Sequence, residues 1–272
     1  MAYSTSIIKN TRNNKDVIGG INRQSNDSID EIFKNFDFTN KEVLTVLGSS
    51  DQMIASYYYG AKNVDTFDRN IRAIYYYYFR KWLANSTDSS YPSFLNKSNV
   101  DLYLKIVKEV YPKSVYEAMA KKYWITALSS NFREYDYFEY SSYYKNFEFQ
   151  KDEEFISKTL NRDINFTTMD MFKNVSLNKK YDIVILSNML EYLDGDIESL
   201  KIVRNNLQAL LNDGGHVICS YIANGHLDLN NIKEKSILTQ EELQYEGYYT
   251  HYEPLNGKTN DIGYSYTKKR TM

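Results

Sequence analysis

The stretch Glu42-Val-Leu-Thr-Val-Leu-Gly48-Ser-Ser-Asp51, followed by Asn63-Val-Asp-Thr-Phe-Asp68, decides the fold. The first is a short apolar, partly β-branched run stopped by glycine, the pattern of a buried strand, and the second reads as another strand. Between them Asp51 to Ala61 reads as a helix ending near Gly60, and beyond them Asn70 to Ala84 reads as a second, strongly aromatic helix. Strand, helix, strand, helix within 42–84 is the signature of an α/β chain with a parallel, doubly wound sheet.

Toward the C-terminus the alternation resumes with strands at Asp163–Thr168 and Tyr181–Ser187. A helix from Ile197 to Leu211 carries Leu200, Val203, Leu207, Leu210 and Leu211 on one apolar face. Asp213-Gly-Gly215 is expected to end it as a C-cap before a strand at His216–Ile222. Thr239-Gln-Glu-Glu-Leu243 looks like another helix start. Tyr248–Leu255 and Ile262–Thr267, joined through Asn256-Gly257, predict an antiparallel hairpin that closes the sheet. Between the two halves, 85–160 reads as a mostly helical, tyrosine-rich insertion, with helices at Val100–Val110, Val115–Ala127 and Asp152–Leu160. Its cluster Tyr135–Tyr144 is a candidate wall for an acceptor. Residues 1–40 form a polar arm carrying Gly19-Gly20, then a short helix opened by the capping box Ser28-Ile-Asp-Glu31, with Ile29, Ile32, Phe33 and Phe36 on its apolar side. The expected organisation is therefore an arm at 1–40, a cofactor-binding domain from 41–84 and 161–272, and the insertion at 85–160.

Bulk composition narrows the function. The 272 residues carry 33 basic and 35 acidic side chains, a formal charge of −2, so no global field draws nucleic acid or anionic lipid. No apolar run approaches the ~20 residues of a membrane helix. Residues Met1–Asn14 are polar, without the apolar core of a secretory signal, and a cytoplasmic location is expected. The single cysteine, Cys219, excludes an intrachain disulfide, and His216, His226 and His251 are too scattered for a metal site. The abundance of Tyr, Asn, Lys and Ile is compatible with an AT-rich genome, so the aromatic runs Tyr57–Tyr59 and Tyr75–Phe79 are expected to pack between elements.

The candidate chemistry lies in the loops at the carboxyl ends of the strands, the edge where open α/β sheets bind ligands. Gly48-Ser49-Ser50-Asp51 offers close backbone approach and a helix start. Asp68, twenty positions beyond Gly48 and followed by Arg69, could accept hydrogen bonds from both hydroxyls of a ribose. A dinucleotide would also satisfy Asp68, but its pyrophosphate wants G-x-G-x-x-G, whereas only Gly48 is present and Asp51 adds a negative charge. A cationic ammonium or sulfonium would accept that charge. Asp51 could equally cap its helix, Asp68 could cap the next one, and Asp170 could be a solvated loop carboxylate.

On these residues, Val-Leu-Thr-Val-Leu-Gly48, Asp68, Thr168-Met-Asp-Met171, Tyr181–Leu193 and Leu210–Ile218, the chain resembles the class I S-adenosylmethionine-dependent methyltransferases. The resemblance implies a Rossmann-like fold with S-adenosyl-L-methionine as cofactor. It would place Gly48, Ser49, Ser50 and Asp51 at the methionine end, Asp68 and Arg69 at the ribose, Asp170 and Met171 at the adenine, and Ser187 and Asn188 beneath the sulfonium. The first motif departs from the family by lacking its second and third glycines. A narrower resemblance, on Gln24–Asp27, Leu44–Gln52 and Leu186–Tyr192, is to betaine-lipid enzymes that transfer the 3-amino-3-carboxypropyl group of the same cofactor.

The resulting expectation is a transferase, methyl transfer first and aminocarboxypropyl transfer second, acting on a small or medium-sized acceptor. A non-catalytic cofactor-binding protein is the third possibility. DNA amino-methylation is disfavoured, because Ser187-Asn-Met-Leu190 lacks the Asn/Asp-Pro-Pro-aromatic grip on an amino group. Glu191, Tyr192 and His226 are the candidates to act on the acceptor. An unperturbed tyrosine is a poor base at neutral pH, and ordinary packing explains Glu191 and Tyr192 equally well.

Overall fold

The computed structural model describes residues 29–85, part of 113–125, 147–189, 197–222, 248–254 and 261–268. In chain order the elements are α1 (Ile29–Phe33), β1 (Glu42–Val46), α2 (Asp51–Tyr58), β2 (Asn63–Asp68), α3 (Arg72–Ala84), α4 (Glu153–Leu160), β3 (Asn165–Thr168), β4 (Tyr181–Ser187), α5 (Ile197–Leu210), β5 (Leu211–Ile222), β6 (Tyr248–Pro254) and β7 (Asp261–Lys268). A 3-10 turn, Glu148–Lys151, leads into α4.

The strands form one seven-stranded sheet in the order β3-β2-β1-β4-β5-β7-β6. β3, β2, β1, β4 and β5 are parallel, and β7 runs antiparallel between β5 and β6. The Rossmann-like, mostly parallel sheet with a C-terminal antiparallel pair is thus as the sequence implies. The turn at Asn256-Gly257 and the cap residue Ser28 lie outside the described residues, as do Val100–Val110, Tyr135–Tyr144 and Thr239–Leu243. Within 113–125 the described residues are chiefly helical.

Side chains alternate across the strands, so the sheet separates two cores. On one face Leu44, Phe67, Val184, Leu186, Val217 and Cys219 meet Val203, Leu207 and Leu210 of α5. On the other, Val43, Val64, Ile183, Ile185 and Ile218 meet α1, α2, α3 and α4. Helices on both sides explain why the inner strands read as unbroken apolar runs. The tyrosines serve this packing. Tyr75, Tyr76 and Tyr77 are buried, and the Tyr77 hydroxyl donates to the carbonyls of Leu160 (2.8 Å) and Arg162 (3.2 Å), tying α3 to α4.

One expectation is corrected. Asp213-Gly-Gly215 is not a cap separating helix from strand, because β5 begins at Leu211 directly after α5. Tyr181 pairs with Leu211 and Ile183 with His216, so the intervening residues form a bulge. Gly215 is needed within it. A Cβ there would lie 2.9 Å from the Asn212 carbonyl and 3.1 Å from that of Asp182. The glycine is used for close approach inside the strand, not as a helix cap.

Candidate functional site

The strand order reverses between β1 and β4, so the chain leaves their carboxyl ends toward opposite sides and opens a crevice. Gly48 lies just past β1 with φ 46°, and a Cβ added there would meet nothing within 4 Å. Among the described residues, then, no atom crowds the loop at Gly48. Ser50 (φ 74°) and Ser187 (φ 53°), at the start of α2 and the end of β4, are also left-handed. Such backbone costs about 1 kcal/mol or more at a residue with a Cβ, and it concentrates at functional sites.

Asp68 ends β2 and faces the Gly48 loop. Its Oδ2 accepts the Gly48 N–H at 3.1 Å and its Oδ1 the Asn70 N–H at 2.8 Å. Each oxygen keeps a further lone pair. Asp68 retains some solvent contact, yet burial raises its carboxyl above the ordinary value; the N–H donors of Asn70 and Gly48, then the Arg69 charge, only partly offset this. Arg69 itself is exposed.

Asp51 occupies a different setting from the open rim expected of it. It is 1% exposed, and its Oδ1 pairs with Arg80 Nη1 at 2.9 Å. Its Oδ2 accepts the Ser49 hydroxyl at 2.8 Å. The same Arg80 nitrogen donates to the Ser49 carbonyl. A buried carboxylate is stable only when paired, and Arg80 compensates the charge. The sign of Asp51 alone therefore no longer distinguishes a sulfonium from a pyrophosphate. Ser49 is buried with it, and Ser50 is 0% exposed. Among the described residues the Ser50 hydroxyl has no hydrogen-bond partner.

At the end of β4, Gln52 Nε2 donates to Ser187 Oγ at 3.3 Å, bridging α2 to β4 across the switch point. Asn188, half-buried, follows Ser187, whose hydroxyl lies 3.5 Å from Asn188 Oδ1. Beyond β3, Asp170 Oδ1 accepts the Phe172 N–H at 3.1 Å and orders its own turn. Met171 is fully buried in the α5-side core, so its backbone rather than its side chain is what a ligand could meet. Gly48, Ser49, Ser50, Asp51, Asp68, Ser187 and Asn188 thus lie along one edge, with Asp170 following the β3 end beside them. Glu191, Tyr192 and His226 fall outside the described residues. His216 lies within β5, its Nδ1 2.9 Å from Thr267 Oγ1.

Sequence reasoning missed Arg80 and Ser220, and it included Gln52 in the first loop without giving it a partner. Arg80 had a legible signal: Ala73, Tyr77 and Arg80 follow helical 4–3 spacing on the buried side of α3, where a cation requires a carboxylate partner. The polar wall of a small cavity with room for about one water had none. There Ile29, Ile32 and Phe33 of α1 lie over Gln52, Ser187 and Ser220.

No family model matches the chain, and no curated relative matches its sequence. Among solved structures it is similar to the N-methyltransferase NodS from Bradyrhizobium japonicum WM9 in complex with S-adenosyl-L-homocysteine, at 8% identity and TM-score 0.44 over 97% of this chain and 98% of that one. It is similar to the glycopeptide N-methyltransferase MtfA at 10% identity and TM-score 0.48, over 88% of each chain. The ribosomal protein L11 methylase from Lactobacillus delbrueckii subsp. bulgaricus is similar at 13% identity and TM-score 0.41, over 87% of this chain and 74% of that one.

Proposed function

We propose that this chain is an S-adenosylmethionine-dependent transferase, with methyl transfer to a small or medium-sized acceptor as its reaction. One observation carries the proposal: at the switch point of the sheet, Asp68 holds the Gly48 N–H yet keeps acceptor capacity, beside a glycine with open space in front of it. This suits a ribose hydroxyl pair with an adjoining small-radius tail. The sheet order also departs from the dinucleotide-binding order 3-2-1-4-5-6 by placing an antiparallel strand between the fifth and the outermost. A pyrophosphate finds no glycine-rich cradle here, and the helix start is occupied by a buried ion pair.

The residues fit the cofactor. Asp68 would accept from the ribose, Gly48 would admit the chain leading to sulfur, and the buried Ser50 hydroxyl supplies a polar group for the amino-acid end. The turn at Asp170 and Met171 would border the adenine, and Ser187 with Asn188 would border the reacting end. Bound, the cofactor would supply a carbon already activated by its sulfonium. The protein's contribution is then mainly orientation and water exclusion, which proximity makes large.

Calorimetric titration with S-adenosylmethionine and with NAD tests the reading. Binding of the first alone supports it, and binding of the second alone rejects it. Turnover then resolves the chemistry: S-adenosylhomocysteine marks methyl transfer, and methylthioadenosine marks aminocarboxypropyl transfer.

A further inference from the structure

We infer that Arg80 is a positioning residue for the amino-acid end of the cofactor, an assignment that rests on the adenosyl reading of the crevice. Arg80 is 6% exposed, far along α3 from Asp68 in sequence but folded back onto the other loop. One nitrogen, Nη1, serves both the Ser49 carbonyl and, at 2.9 Å, Asp51 Oδ1. The Ser49 hydroxyl closes the ring onto Asp51 Oδ2 at 2.8 Å. Gly48 and Ser50, both with positive φ, flank that ring. A loop with two such residues has little intrinsic preference for its conformation, and an external clamp selects it.

The clamp also joins the two cofactor-facing loops. α3 grows from the turn that Asp68 organises: Asp68 Oδ1 accepts the Asn70 N–H at 2.8 Å, and Asn70 Oδ1 accepts the Arg72 N–H at 3.0 Å. The far part of α3 is fixed to α4 through Tyr77. Arg80 therefore extends from a helix whose beginning is set by the ribose-side loop and grips the methionine-side loop. A guanidinium is suited to this, since its planar fork is preorganised and always charged.

A merely structural ion pair and a positioning device make different predictions for ligands that share adenosine but differ in the tail. Methylthioadenosine lacks the aminocarboxypropyl end. Arg80→Lys keeps a cation opposite Asp51 but loses the planar guanidinium that places Nη1 against both the Ser49 carbonyl and Asp51. Calorimetry on the full chain should show S-adenosylmethionine binding weakened about tenfold, as for one lost charge-assisted hydrogen bond, with methylthioadenosine changed by less than about twofold. Arg80→Met should widen the ratio further. Comparing both ligands on one sample cancels any loss of folded protein. Equal weakening of both ligands, or no change in either, overturns the assignment. If the wild-type chain binds neither ligand, the cofactor reading fails first and takes the Arg80 assignment with it.

Discussion

The two ends of the parallel sheet both bury carboxylates and satisfy their polar groups differently. At the amino end, Lys179 Nζ lies 2.8 Å from Glu42 and 2.9 Å from Asp65, and Asp65 also accepts the Tyr181 hydroxyl at 2.9 Å. Asp182 accepts the Glu42 N–H at 3.0 Å and the Asn212 amide at 2.9 Å. Burial opposes the Lys179 charge, but its bonds to Glu42 and Asp65 outweigh that and raise its pKa. At the carboxyl end a carboxylate is raised by burial, and a hydroxyl has no partner among the described residues. Buried polar groups without partners are exceptional in native proteins, and among the described residues Ser50, Gln52 and Ser220 hold them at the carboxyl end, the edge where the proposed cofactor site lies.

The largest effect that would sharpen the contrast is at Asp68. Asp68→Asn should weaken S-adenosylmethionine binding about 100-fold, since two charge-assisted bonds to ribose would be degraded. Binding should also fall with pH as the carboxyl protonates, above its ordinary 3.8 because burial raises it. The sign for stability is the reverse. A carboxyl raised by folding favours the folded state when protonated, so the free protein loses that contribution as pH rises from 3.8 through the folded value. Asp68→Asn should lack both slopes. An affinity independent of this residue would break the division between the two ends.

Glycine gives a matched pair. Gly48→Ala places a methyl in the open space before the loop and strains a positive φ. Affinity should fall about tenfold or more, with a stability loss of about 1 kcal/mol. Gly215→Ala, in the bulge near the amino end, drives its Cβ to 2.9 Å from a backbone oxygen. It should cost about 1–3 kcal/mol of stability while leaving affinity within about twofold. Thermal melts and calorimetry on both variants check the exchange of effects.

The same contrast explains what could be read without coordinates. β1 and β4 announce themselves because strands buried on both faces are largely apolar, and Asn63–Asp68 and Tyr181–Ser187 are found as expected. Asp68 was legible because its place follows from strand two and the spacing to Gly48. The state of Asp51 was not, because helical spacing can place Arg80 inward but cannot show which carboxylate it meets, and the two lie 29 positions apart. Nor was the bulge before His216, where tertiary pairing with β4 overrides a sequence that reads as a helix stop. Local chemistry is written in neighbouring residues, while charge compensation depends on elements brought together only by folding.

A smaller effect should come from the amino end. Lys179 is 42% exposed, so solvent screens its pairs. Lys179→Met should lower stability by less than about 1 kcal/mol. Lys179 is the main cause of the lowered Glu42 carboxyl, so the wild-type contribution should fade as pH drops through the Glu42 value. Cofactor affinity should not change, and a change would mean that the two ends are coupled.

The subtlest test is Ser50→Ala, which removes only the orphaned hydroxyl and leaves the left-handed backbone in place. In the free protein that hydroxyl is buried without a partner, so removing it should raise stability by up to about 1 kcal/mol. On the proposed reading the hydroxyl would gain a partner at the amino-acid end, so the same change should weaken S-adenosylmethionine several-fold while sparing methylthioadenosine. The opposite signs are the informative part, because a side chain that served packing alone would lose on both counts. A variant more stable than the parent with undiminished affinity would show that the orphaned group awaits nothing in this crevice.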